Sequence, residues 1–177
     1  IIGAKIIDAV TKNNVKLIVA DPRDIQLSKF ADLVIHHIPG TDIALFNAMA
    51  HVIIKEELYD KEFIEKRTEG FNVLVKHIEK YTPEYAEKIT GVPAEKIRKA
   101  AIMYATADRA MIFFAMGVTQ HVQGTENVLA IANLAMLTGN VGKVGTGVNP
   151  LRGQNNVQGA GDMGTLPNLL PGYIPVN

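Results

Sequence analysis

The chain has 177 residues, 47% of them hydrophobic and 20% charged, which suits one globular domain with a real core, or one domain and part of a second. Lys and Arg number 18 and Asp and Glu number 18, so the formal net charge is zero, and no basic field points to nucleic acid or a membrane surface. Cysteine is absent, which excludes disulfides, thiolate metal sites, iron–sulfur clusters and a cysteine nucleophile within this chain.

The chain opens on "IIGAKIIDAV", where Ile2, Ile6, Ile7 and Val10 share one face, so residues 3–13 are expected to form an amphipathic helix. There is no initiating Met and no signal-peptide pattern, and an α/β domain rarely starts on a helix that feeds a buried strand. The expectation is a piece of a longer polypeptide with a strand upstream. "VKLIVA" (15–20), ended by "DPR", and "ADLVIHHI" (31–38), ended by "PGTD", are short apolar runs that read as strands buried on both faces. "TDIALFNAMAHVIIKEELY" (41–59) has helical period, with Thr41 or Asp42 as N-cap. Residues 60–107 read as helical throughout, divided by Gly70, Pro83, Gly91 and Pro93, with Thr82 as cap before Pro83. "RAMIFFAMG" (109–117) is a third strand, and "TENVLAIANLAMLTG" (125–139) a helix closed by Gly139 as C′ residue. From Asn140 to Asn177 no periodicity is visible.

Strands alternating with helices imply an α/β fold, a Rossmann-like open parallel sheet with helices on both faces. The expected division is a dinucleotide-cofactor-binding domain over 1–150, with 60–107 a helical insertion, and an irregular active-site loop over 151–177 that leads into the next domain. The three strands are expected to be parallel neighbours in one sheet. In such sheets ligands bind beyond the carboxyl ends of the strands. There stand Asp21 and Arg23, Gly40 and Asp42, and Met116, Gly117 and Gln120. Asp21 suits a ribose diol or a guanine edge, and equally an N-cap before Pro22. Gly40 lets a ligand approach the backbone at a helix N-terminus, and equally closes a turn. Gln120 suits a donor–acceptor edge, and equally a surface turn. "GKVGTG" lacks the spacing of a phosphate loop and "GTGVNP" that of a dinucleotide fingerprint. No His pair has metal-binding spacing. His36 and His37, adjacent on a strand, face opposite sides, and only His121 adjoins a candidate ligand turn.

"NPLRGQNNVQGAGDMG" (149–164) is unlike any of these elements. It combines amides, glycines and a single Arg152, and has no apolar stripe to pack. Amides offer donors and acceptors without charge, as a pterin or guanine edge requires. Arg152 adds a planar cationic fork suited to a carboxylate or phosphate. A surface loop with an incidental Arg has the same composition.

"MGVTQHVQGTENVLAIANLAMLTGNVGKVGTGVNPLRGQNNVQGAGDMG" closely resembles the molybdopterin oxidoreductase family, and within it the catalytic subunit of molybdenum- or tungsten-dependent formate dehydrogenases. "VNPLRGQNNVQG" is the most selective part, and "ADPRDIQLSKFADLVIHHIPGTDIALFNAMAHVIIKEELYDKEFI" and "YTPEYAEKITGVPAEKIRKAA" extend the match along the chain. The resemblance implies a bis-(molybdopterin guanine dinucleotide) cofactor carrying Mo or W. Asp21, Arg23, Gly40 and Asp42 would then face its dinucleotide part, and Met116, Gly117, Gln120, Gly153, Gln154 and Asn155 its pterin. Arg152 would orient formate. The metal ligand, its neighbouring His and the iron–sulfur cysteines would lie upstream of residue 1, so the isolated chain is expected to be inactive. Formate and CO2, the rest of the subunit and electron-transfer subunits are the implied partners. A cytoplasmic location is expected, with no membrane contact from this segment. Relatives often read "GACDMG" where this chain has Gly161, with no chemistry lost. A nitrate reductase-like or complex I-type relative, and a non-catalytic nucleotide-binding or assembly domain, are the alternatives.

Overall fold

The computed structural model describes residues 1–176, so Asn177, at the end of the expected irregular stretch, lies outside the described residues. Helix α1 (Ile2–Asn13) ends where Asn14 takes φ 54, a left-handed turn that a short amide tolerates. Strands β1 (Ile18–Ala20) and β2 (Leu33–Ile35) pair in parallel, Val19 opposite Val34, with a 3-10 turn at Gln26–Phe30 between them. Helix α1 leans on that turn and buries no residue fully.

Helix α2 (Asp42–Lys55) is the hub. Its Leu45, Ala48, Val52 and Ile53 are buried in one core with Leu33 and Ile35 of β2 and with the helices around α2. The helical stretch 60–107 resolves into α3 (Lys61–Arg67), α4 (Phe71–Ile78), α5 (Pro83–Thr90) and α6 (Ala94–Ala105). Each break has a local cause. Asp60 caps α3 by accepting from the Phe63 amide at 2.9 Å, Thr82 caps α5 through the Tyr85 amide at 3.2 Å, and Gly91 closes α5 in the left-handed region. Ala100 and Ala101 are fully buried, and such small side chains let helix axes approach closely.

Strand β3 (Met111–Phe114) leads through the single turn α7 (Met116–Thr119) into α8 (Gly124–Leu137), which Gly139 ends at φ 62. Two buried asparagines fix this part. Asn127 donates to the Val118 carbonyl at 2.8 Å and ties α8 to α7, while Asn140 accepts from the Ala110 amide at 2.9 Å and ties the end of α8 to the start of β3. Both satisfy backbone groups that would otherwise be buried unpaired.

Parallel α/β architecture is thus present, but the expected single sheet is not. Among the described residues β3 pairs with β4 (Gly147–Pro150), in parallel, while β1 and β2 form a separate two-stranded sheet. The stretch after Asn140 also holds more structure than expected: besides β4 there is α9 (Val157–Asp162) and an antiparallel pair, β5 (Leu169–Leu170) with β6 (Ile174–Pro175). These elements are too short, and too rich in Gly and Pro, to show a period. Among the described residues no helix is long and apolar enough to cross a membrane.

Candidate functional site

The carboxyl ends of β3 and β4 lie side by side, Phe114 opposite Pro150, and the Leu151 amide extends the ladder by donating to the Phe114 carbonyl at 2.7 Å. Two loops therefore leave from one edge, 115–123 and 151–156. They touch at one point: a Cβ on Gly153 would stand 3.0 Å from Met116 Cε and 3.4 Å from its sulfur. Only a residue without a side chain fits that approach unless Met116 shifts. Gln120 donates to the same sulfur at 3.3 Å. Met116, Gly117, Gln120 and Gly153 thus form one patch, continued by exposed Arg152, Gln154 and Asn155.

The loop after β2 joins this patch from the other side. Gln123 donates to the Gly40 carbonyl at 3.1 Å, and His121 Nδ1 stands 3.9 Å from where a Gly40 Cβ would lie. His121 Nε2 sits 2.9 Å from the Gly117 carbonyl, which only accepts, so that nitrogen carries the proton. Gly40 takes φ 82, which lets the chain reverse between β2 and α2 without a Cβ in the way.

Asp42 does not face this surface. It is 3% exposed, and its Oδ1 lies 3.4 Å from Nε2 of His37, itself 8% exposed. Burial opposes ionisation of Asp42 most strongly. The hydrogen bond and charge of His37, the residue's own amide and the charge of His121 outweigh it, and hold the carboxyl below its usual range. His37 Nδ1 and Asp42 Oδ2 are buried without a partner.

Asp21 and Arg23 stand at the exit of β1. Asp21 accepts from the Arg23 amide at 2.9 Å and from its guanidinium at 3.3 Å, and its own amide donates to Ile35 of β2. His36 Nδ1 donates to the Asp21 carbonyl at 2.9 Å, and its ring borders an open cleft of about 560 Å³ shared with Asp24, Ser28 and Lys29. Among the described residues, the hydrogen bonds of Asp21 run to Arg23, His36 and Ile35, and not to the residues around Gly153.

Sequence reading missed three residues here. His37 and Asn127 are buried polar groups that hold the loops from beneath, and Gln123 bridges two of them. Period-2 alternation puts His37 on the same face as Leu33 and Ile35, a signal that was present. In the amide loop, Arg152 Nη2 lies 3.4 Å from Gln158 Oε1, and no carboxylate pairs with the guanidinium among the described residues. The patch thus offers one free cation, several neutral amides and exposed backbone, a donor set suited to a planar polar ligand and a small anion.

Comparison with known proteins identifies the family. A family model described as molybdopterin oxidoreductase matches residues 1–173. The F420-dependent formate dehydrogenase subunit alpha of Methanocaldococcus jannaschii is 60% identical over 161 residues, covering 91% of this chain and 24% of that protein. Formate dehydrogenase H of Escherichia coli is 58% identical over 162 residues, covering 92% and 23%. Among solved structures, acetylene hydratase from Pelobacter acetylenicus superposes with a TM-score of 0.75 at 37% identity, over 78% of this chain and 19% of that one. The chain spans about a quarter of the length of these curated relatives.

Proposed function

This chain belongs to the molybdopterin oxidoreductase family, and from that membership we propose that it is part of the catalytic subunit of a formate dehydrogenase. The family implies a molybdopterin cofactor with Mo or W. In this reading the cofactor is a bis-(molybdopterin guanine dinucleotide) and the substrate is formate.

The residues present fit such a group. Beyond its own turn and chain neighbours, nothing lies within 4 Å of a Cβ built on Gly117, so a flat ring system can approach the backbone there. Exposed Gln120, Gln154 and Asn155 offer amide donors and acceptors to a pterin edge. Arg23 and the Gly40 turn would serve the dinucleotide part. Asp21 would contribute its second carboxylate oxygen, since Oδ1 is engaged by Arg23. Asp42 would act from beneath, by holding the turn.

When bound, the metal centre supplies the two-electron redox chemistry. The chain's own share is positioning. Oxidation of formate to CO2 breaks one C–H bond, releasing a proton and two electrons. Arg152 would hold both carboxylate oxygens in its fork, leaving the C–H bond as the one end free to react. The electrons would leave through an iron–sulfur cluster carried by another part of the subunit and through electron-transfer subunits.

The observation that supports this most is the contact of Met116 with Gly153. It joins the loops after β3 and β4 into one surface on which Arg152 has no carboxylate partner among the described residues. The test is metal and pterin analysis of the full-length subunit, together with dye-linked formate oxidation. Stoichiometric pterin with Mo or W and formate turnover are expected. Cofactor with nitrate reduction but no formate oxidation would move the chain to a nitrate reductase-like function. No pterin at all would leave a non-catalytic domain.

A further inference from the structure

Behind Arg152 stands a chain of polar side chains from α9 and from the turn between β5 and β6. Gln158 accepts from Arg152 through Oε1 at 3.4 Å. Its Nε2 donates to Asp162 Oδ1 at 3.2 Å and to the Tyr173 phenol oxygen at 2.9 Å. The Tyr173 hydroxyl donates in turn to the same Asp162 oxygen. The amide has only one workable orientation. A guanidinium can only donate and a carboxylate can only accept, so the Gln158 oxygen must face Arg152 and its nitrogen must face Asp162.

Two further features support a built network. Tyr173 takes φ 62, a left-handed backbone that a bulky residue adopts only where its surroundings hold it there. Its bonds to Gln158 and Asp162 bridge the turn between β5 and β6, where this backbone occurs, to α9. The neutrality of Gln158 also matters. Asp162 is the carboxylate of this network, and direct contact with Arg152 would close the guanidinium fork and cancel its charge. Gln158 stands between them and takes one N–H with an uncharged oxygen. The other guanidinium donors stay available to an anion.

We propose that Gln158, fixed by Asp162 and Tyr173, is the positioning residue for Arg152. It aims the guanidinium while keeping Asp162 from neutralising it. This rests on the reading of Arg152 as the cation that receives formate.

The test is steady-state kinetics on the full-length holoenzyme, with metal and pterin content measured for each variant. Gln158→Ala is expected to raise KM for formate about 3- to 10-fold with kcat within about 2-fold, at unchanged cofactor content. Gln158→Glu is expected to raise KM more than Gln158→Ala, because its carboxylate would occupy the fork. Tyr173→Phe should shift KM in the same direction by less. In an Arg152→Ala background, Gln158→Ala should add less than about 2-fold, since the residue acts through the arginine. An unchanged KM in Gln158→Ala would overturn the proposal, as would effects that multiply in the double variant, or a loss of cofactor with KM intact. A crippled Arg152→Ala beside an unaffected Gln158→Ala sinks this proposal alone. A near-normal Arg152→Ala sinks the formate reading as well.

Discussion

Nε2 of His37 lies 3.4 Å from Oδ1 of Asp42, and both side chains are buried, so the end of β2 is tied to the first residue of α2 across the Pro39–Gly40–Thr41 turn. Two charged or chargeable groups have been taken out of water at that spot, and each keeps one polar atom without a partner. Such a pair is costly to build and more costly to break, because the survivor is left buried alone. The turn it spans also presents Gly40 to Gln123, so the pair stiffens the exit of β2 from below.

The first prediction follows from the charge on Asp42. Its folded-state carboxyl is held below the usual range, with His37 as the main favourable cause acting against burial. A depressed carboxyl contributes stability that is present above the unfolded value, near pH 4, and is lost as pH falls through the lower folded value. Urea midpoints should therefore hold from neutral pH to about pH 5 and drop below about pH 4. Asp42→Asn should lower the midpoint at pH 7 and flatten the acid drop. His37→Ala should also lower the midpoint at pH 7, because it leaves the buried Asp42 carboxyl without its neighbour. An Asp42→Asn curve parallel to wild type would show that Asp42 does not carry the acid sensitivity.

Gly40 should tolerate Asn better than Ala. The φ of 82 is reached by glycine freely and by Asn at small cost. The space is not the obstacle, since the nearest atom to a built Cβ is His121 Nδ1 at 3.9 Å. Gly40→Ala is expected to lose about 1–2 kcal/mol and Gly40→Asn less, read from urea denaturation. Equal losses would point to contact with a side chain rather than to backbone strain.

Ile53, 0% exposed in the last turn of α2, is a large side chain whose truncation should leave a cavity in the core. Ile53→Ala should destabilise by about 2–5 kcal/mol and Ile53→Val by about 1 kcal/mol, without change in the helical circular-dichroism signal. A loss under about 1 kcal/mol for the alanine variant would mean that α2 is not the hub of the core.

The long helices were readable because α2 and α8 each repeat their apolar positions over several turns. The four helices between 60 and 107 were divided at Gly70, Pro83, Gly91 and Pro93, residues whose backbone behaviour is local. The single sheet was misjudged for a physical reason. Strand β4 is "GVNP", four residues with Gly at one end and Pro at the other, so neither propensity nor alternation marks it, and its pairing with β3 is a long-range event. Helix α9 carries Gly159 and Gly161, which lower helix propensity, and is held by bonds such as Gln158 to Tyr173. With the sheet split, the rule for strand ends gathers residues only beyond β3 and β4, and Asp21 stands at the separate pair β1 and β2. Met116, Gly117, Gln120 and Gly153 gather, while Asp42 turned inward because period-2 alternation carries His37 to the buried face.

The last prediction concerns Arg152 in the full-length enzyme. Arg152→Lys keeps the positive charge but replaces a planar fork by a point charge with a different reach. If the fork holds formate equally in the ground and transition states, KM should rise with kcat unchanged. If it matters more as the C–H bond breaks, kcat should fall too. Losing one charge-assisted hydrogen bond is worth roughly 1.5–3 kcal/mol, or about 10- to 150-fold in kcat/KM. Arg152→Ala should be worse than Arg152→Lys. Metal and pterin content should stay near wild type in both, because Gly153, Gln154 and Asn155 are untouched and Met116 still rests against Gly153. Arg152→Ala with near-normal kcat/KM at full metal occupancy would remove Arg152 as the formate ligand. Loss of the cofactor in Arg152→Ala would instead make the guanidinium a cofactor anchor, and the carboxylate-holding role would pass to another donor of the patch.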